Sequence, residues 1–174
     1  NSLSAKKISK ENRSDFLNFE IVVVPPFIYL YSFDANLRGL KRGLTQNEIL
    51  KVKLGSQDVF WEKSIAFTGE ISSEMLKNLN VEYVIIGHSE RRQYLNETDE
   101  MINKKVLFAL KSGLKVVLCV GENLSIYNRG KKAVEEFIKS QLEKDLKGIN
   151  KNHKLKTKNL IIAYEPICAI GTGN

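Results

Sequence analysis

The sequence predicts a parallel α/β fold, and three observations carry that prediction. Short runs rich in β-branched residues recur at Ile21 to Val24, Tyr83 to Ile86, Val116 to Val120 and Leu160 to Tyr164. Segments of helical period separate them, which is the sequence form of repeated βα units. Two of the runs also stop abruptly at polar side chains able to do chemistry, Gly-His-Ser-Glu-Arg-Arg after Ile86 and Glu-Pro after Tyr164. Buried parallel strands that deliver such groups at their C-terminal ends build a shared active-site mouth.

Each element follows from local pattern. Leu3 to Phe19 reads as a helix leading into the strand at Ile21, and a weaker strand near Ile49 to Ser56 brings the strands to five. Ser72 reads as the N-cap of a short helix that follows a loop. After Thr98, an N-cap followed by Asp99 and Glu100, the residues Ile102, Val106, Ala109 and Leu110 form one apolar stripe that Gly113 ends. Val134, Phe137, Ile138, Gln141, Leu142 and Leu146 form a second stripe, stopped by Gly148. No linker rich in Pro and Gly divides the chain, so residues 1–174 are expected to form one domain, and core packing accounts for both stripes.

Composition narrows the class. With 174 residues, 43% of them apolar and 27% charged, the chain has the make-up of an ordinary globular protein, which excludes disorder and collagen-like structure. No apolar run approaches the roughly 20 residues that span a bilayer, and Asn1-Ser2-Leu3-Ser4 carries no signal-peptide core, so no membrane association is expected and the compartment reads as cytoplasmic. Cys119 and Cys168 are the two cysteines, too few for a disulfide framework, and both read as reduced thiols. The net charge of +7 comes from lysines spread along solvated helix faces. The densest basic stretch, Lys151 to Lys158, lacks the interleaved aromatics that stack on bases, so it reads as a polar loop and no nucleic acid is expected. The same positive field would draw in a small anionic substrate such as a sugar phosphate.

Glu165 is the first catalytic candidate, because a carboxylate directly after a buried parallel strand sits at the strand's mouth. Pro166 stiffens one end of the loop that follows, and Gly171 and Gly173 free the other, the composition of a hinged lid. His88 is the second candidate, since in a closed barrel it would face the same mouth, with Ser89, Glu90, Arg91 and Arg92 crowding its turn. At the start of a short helix, His88 would be kept a neutral donor by the helix's positive end. A carboxylate base with a neutral imidazole donor suits proton abstraction beside a carbonyl. No Ser or Cys is visibly paired with a histidine for acyl transfer, and His88 and His153, the two histidines, have no ligand-spaced cysteines or carboxylates around them, so no metal and no cofactor are expected.

Four segments together closely resemble the triosephosphate isomerase family: Ile85-Ile-Gly-His-Ser-Glu-Arg-Arg92, Ala66-Phe-Thr-Gly-Glu-Ile-Ser72, Cys119-Val-Gly-Glu122, and Ala163-Tyr-Glu-Pro166 with Ala169-Ile-Gly-Thr-Gly173. The resemblance covers essentially the whole chain. It implies a (β/α)₈ TIM barrel, this chain covering roughly strands two to six, a homodimer, and interconversion of dihydroxyacetone phosphate with glyceraldehyde 3-phosphate through an enediolate, as in glycolysis and gluconeogenesis. It further implies Glu165 as the proton-shuttling base, His88 as the electrophile on the carbonyl and enediolate oxygens, and Glu90 as a positioning or proton-relaying group. This enzyme is itself the standard case of a Glu base working with a neutral His, so those roles come from the family. Gly171 is implied as a backbone N–H donor to the phosphate, Thr68 as a dimer-loop residue reaching toward the partner's active site, and Cys119 as a buried cysteine beside the base. Without the family, Glu90 reads equally as a surface partner of Arg91 or Arg92, the Thr68 segment as a plain loop, and Cys119 as a small core residue.

The chain also departs from the family's pattern. The family's first strand ends in an Asn-x-Lys segment whose lysine contacts substrate, and its strands seven and eight supply further phosphate-binding N–H groups; neither has a counterpart in this sequence. A barrel of this kind takes about 250 residues, so roughly 70 to 80 are expected to be missing and the chain reads as a fragment, inactive by itself, with two open sheet edges. Cys168 stands where the family's lid usually carries tryptophan, Asn174 where a lysine is usual, and Asp58 where an asparagine is common near the subunit contact. Three other readings stay open: another phosphate-handling barrel enzyme, an inactive barrel remnant serving as an interaction partner, and nucleotide binding at Gly171-Thr-Gly173, for which a lone GxG is weak support.

Overall fold

A computed structural model describes residues 20–43, 52–63, 67–149 and 157–166. Along these the chain runs β1 (Ile21–Val23), a 3₁₀ turn (Phe27–Tyr29), α1 (Leu30–Gly43), β2 (Val52–Ser56), α2 (Ser73–Asn78), β3 (Val81–Ile86), α3 (Ser89–Tyr94), α4 (Asp99–Lys111), β4 (Lys115–Val120), α5 (Leu124–Tyr127), α6 (Lys131–Asp145), a second 3₁₀ turn (Thr157–Asn159) and β5 (Leu160–Tyr164). The five strands form one sheet in the order β1-β2-β3-β4-β5, and every neighbouring pair is parallel. Sequence order equals spatial order, the arrangement of a (β/α)₈ barrel, of which these strands make up part. The expected helix over Leu3 to Phe19 lies outside the described residues, and the expected strand near Ile49 is described from Val52.

Burial explains why the central strands read as continuous apolar runs. Val84 and Ile86 of β3 and Val116 and Leu118 of β4 are fully buried, because a parallel sheet is covered on both faces. The α4 stripe of Ile102, Val106, Ala109 and Leu110 closes over them, together with Leu76 of α2. Each fully buried aliphatic side chain contributes about 1.5–3 kcal/mol relative to exposure, so this cluster holds β3 and β4 and hence what they carry.

The helix ends are set by the residues expected to set them. Thr98 accepts a hydrogen bond from the Met101 N–H at 3.3 Å, and Ser72 caps α2 through the Met75 N–H, also at 3.3 Å. The outer strands differ from the central ones: on β5, Ile161, Ile162 and Tyr164 are 47, 42 and 55% exposed. Apolar exposure of that extent on an edge strand fits a sheet that is one part of a larger barrel.

Candidate active site

The sequence brings His88 and Glu165 to the same end of the sheet from different strands. Gly87 follows the last residue of β3 with a φ of +76°, a left-handed turn that costs glycine least, and it throws His88 off the strand axis. His88 then caps α3: its Nδ1 accepts a hydrogen bond from the Glu90 N–H at 3.3 Å. An Nδ1 used as an acceptor leaves the ring N–H of a neutral imidazole on Nε2. That Nε2 lies 3.7 Å from Glu165 Oε2.

Glu165 is held by its backbone. β4 and β5 pair with Val120 opposite Tyr164, and the Glu165 N–H extends that ladder by donating to the Val120 carbonyl at 2.8 Å. The close approach requires Gly121, because a Cβ there would run into the Glu165 carbonyl oxygen and lie 2.7 Å from its carbonyl carbon. The glycine of the Cys119-Val-Gly-Glu122 segment thus leaves the space into which the Glu165 backbone fits. Glu165 Oε2 is buried and has no hydrogen-bond partner among the described residues. A buried carboxylate oxygen without a partner is uncommon in a folded protein and calls for an explanation.

Other expected site residues fall into place unequally. Glu90 is beside the pair, with Oε2 3.8 Å from His88 Nδ1 and a side chain that is mostly exposed. Its arginine neighbours engage other carboxylates: Arg91 binds Asp58 at 2.8 Å and Glu97 at 2.7 Å, and Arg92 binds Asp99 at 2.7 Å and Asp145 at 2.6 Å. Thr68 sits exposed at a turn closed by the Glu70 N–H on the Phe67 carbonyl at 3.0 Å. The base of that loop is anchored by Phe60, whose ring centroid is 4.7 Å from that of Phe67 and 4.4 Å from that of Trp61. Gly171, Cys168 and Asn174 lie outside the described residues.

Cys119 is both buried in the core and next to Glu165. Burial pushes its thiol up to about 12, and the Glu165 charge and a hydrogen bond to Glu165 act in the same direction. A thiol in that state is about one part in 10⁴ thiolate at pH 8, against roughly a quarter for a free cysteine. Cys119 will therefore resist iodoacetamide at pH 8, reacting at least 10³-fold more slowly than a free thiol. Peptide mass spectrometry after timed alkylation checks this; modification at the free-thiol rate contradicts it.

Three features escaped the sequence. Glu122 is completely buried and accepts from the Tyr164 hydroxyl at 3.2 Å on both carboxylate oxygens, tying the turn after β4 to the residue before Glu165. Lys105 is 3% exposed, an exception to the solvated lysines, and binds Asp58 at 2.7 Å and also Glu97. Its position three residues after Ile102 and one before Val106 places it on the apolar stripe, a signal available before the structure. Asp58 is buried against Lys105 and Arg91, so its carboxylate is part of the internal framework under α3 and α4.

Fold and site together define a parallel β/α-barrel protein that presents a carboxylate and an imidazole at the C-terminal ends of two strands separated by one. The sequence model of the triosephosphate isomerase family matches residues 1–174, and the chain belongs to that family. Among curated relatives, it is 49% identical over 154 residues to the triosephosphate isomerase of Thermoanaerobacter pseudethanolicus, covering 88% of this chain and 56% of that one. It is 47% identical over 165 residues to that of Dictyoglomus turgidum, covering 95% and 60%. Over 125 residues it is 54% identical to that of Alkaliphilus metalliredigens, covering 71% and 48%. The chain therefore spans about half to three-fifths of the length of these relatives. Among the described residues no helix is long and apolar enough to cross a membrane.

Proposed function

We propose that the protein carrying this chain is an intramolecular aldose-ketose isomerase that interconverts dihydroxyacetone phosphate and glyceraldehyde 3-phosphate, working as a cytoplasmic homodimer. The observation that carries this reading is the pairing of a carboxylate having an unpartnered oxygen with an imidazole Nε2 3.7 Å away. Glu165 takes a proton from the carbon beside the carbonyl while the C=O electron pair moves onto oxygen. The Nε2–H of His88 donates to that oxygen, where negative charge develops, and Glu165 returns the proton to the adjacent carbon. Atoms balance within the substrate, so no redox partner is consumed.

The remaining roles follow the family. Glu90 positions His88 or relays a proton between the enediolate oxygens; Gly171 donates its backbone N–H to the phosphate; and Thr68 reaches from its exposed loop toward a second subunit's site. A loop that leaves Phe67 45% exposed suits burial in a subunit contact.

The test uses the full-length gene product and glyceraldehyde 3-phosphate deuterated at C2, in ordinary water. Proton transfer through Glu165 predicts dihydroxyacetone phosphate in which much of the label has exchanged with solvent. Full retention of deuterium would point to hydride shift and overturn the mechanism. A folded product with no turnover would favour the reading of an inactive barrel acting as a partner.

A further inference from the structure

We propose that Arg92 is a positioning residue whose guanidinium ties together the ends of the two strands from which His88 and Glu165 are held. The inference rests on the isomerase reading for its kinetic test and on geometry for its content.

Arg92 reaches four separate elements. Its Nε donates to the Gly87 carbonyl at 2.8 Å, the peptide just before His88. Its Nη2 lies 3.4 Å from the Cys119 carbonyl on β4, one residue before the Val120 carbonyl that receives the Glu165 N–H. The same Nη2 donates to Asp145 Oδ2 at 2.6 Å, and Nη1 to Asp99 Oδ1 at 2.7 Å. Asp145 ends α6 and is completely buried, while Asp99 begins α4. The two carboxylates fix the plane of the guanidinium, and the guanidinium fixes the two carbonyls.

The packing leaves little freedom. A Cβ on Gly87 would be 3.1 Å from Arg92 Nη2 and 3.3 Å from the Cys119 carbonyl oxygen, so the left-handed turn that aims His88 is pressed against this cation. Only a planar fork can meet a carbonyl on the turn after β3, one on β4 and carboxylates on two helices at once; a lysine ammonium in the same place serves one or two of them. Loss of the fork would let the β3 turn shift relative to β4, and a displacement of about 1 Å at reacting groups costs on the order of 10²-fold in rate.

The test is the Arg92→Lys variant of the full-length gene product, compared with wild type in turnover and in the ¹⁵N resonances of the His88 ring. Expected is a fall in kcat of about 10- to 10²-fold per folded molecule with KM changed less than about threefold, together with a displaced His88 signal. Wild-type kcat and an unmoved His88 resonance in a folded variant would overturn the proposal. An inactive wild type would overturn the isomerase reading alone, since the His88 resonance still reports positioning. Should Arg92→Lys fail to fold, Asp99→Asn releases one anchor at a partly exposed site, and a smaller fall in kcat with the same shift in the resonance is expected. An Asp99→Asn enzyme with neither change would count against it.

Discussion

Glu165→Gln is expected to lower kcat about 10²- to 10⁴-fold in the full-length gene product, with KM changed far less. The amide is nearly the same size, and the backbone bond from the residue 165 N–H to the Val120 carbonyl, 2.8 Å long, does not depend on the side chain. In the proposed mechanism the substitution removes the acceptor for the substrate's proton, an interaction made in the transition state, which is why the loss belongs in kcat. A second readout comes from Cys119, whose thiol is held high partly by the Glu165 charge. Removing that charge lowers the thiol's proton affinity, so alkylation of Cys119 speeds up in the variant while remaining slow, since burial is the larger cause. An enzyme that keeps near-wild-type kcat without the carboxylate would exclude Glu165 as the base.

What the sequence revealed and what it concealed divide along a physical line. Patterns of period two or 3.6 and end signals are local, and they located β5 at Leu160–Tyr164, the Thr98 cap of α4 and the glycine that follows α4. The meeting of His88 and Glu165 was legible because in a parallel sheet the C-terminal ends of all strands lie on one side, so two strand-ending polar residues share a mouth regardless of their separation in the chain. The arginine partners were not legible. Arg92 finds Asp145 across 53 residues of sequence, and Lys105 finds Asp58 across 47, separations at which no periodicity carries information. Lys105 and Asp145 also belong to residue types almost always exposed, and they are buried here because opposite charges accompany them. Gly121 was visible as a glycine in a motif, but its reason, the room it leaves for the Glu165 backbone, exists only once β4 and β5 lie side by side.

Lys105→Met is expected to destabilise the protein by about 3–5 kcal/mol, measured by urea unfolding of the full-length gene product at pH 7.5. Lys105, Arg91, Asp58 and Glu97 form a neutral cluster of two cations and two carboxylates, with Lys105, Asp58 and Glu97 all buried. Glu97 Oε2 already has no partner among the described residues, so the cluster has no spare donor. Methionine fills the volume but leaves two buried carboxylates to one guanidinium. The pH dependence then has a definite sign. Burial, the largest cause, already raises the Asp58 carboxyl, and Lys105 is the main influence opposing it. Without the lysine that group rises further, so in the folded state it binds its proton more tightly than in the unfolded chain. The cost in Lys105→Met is accordingly full above the raised value and relieved as pH falls toward the ordinary carboxylate range. Asp58→Asn, which removes one of the stranded charges, should recover a substantial part of the loss when added to Lys105→Met, a coupling that a double-mutant cycle measures. A loss below about 1 kcal/mol, flat with pH and unaffected by Asp58→Asn, would mean that water reaches the cluster and screens it as it screens surface pairs.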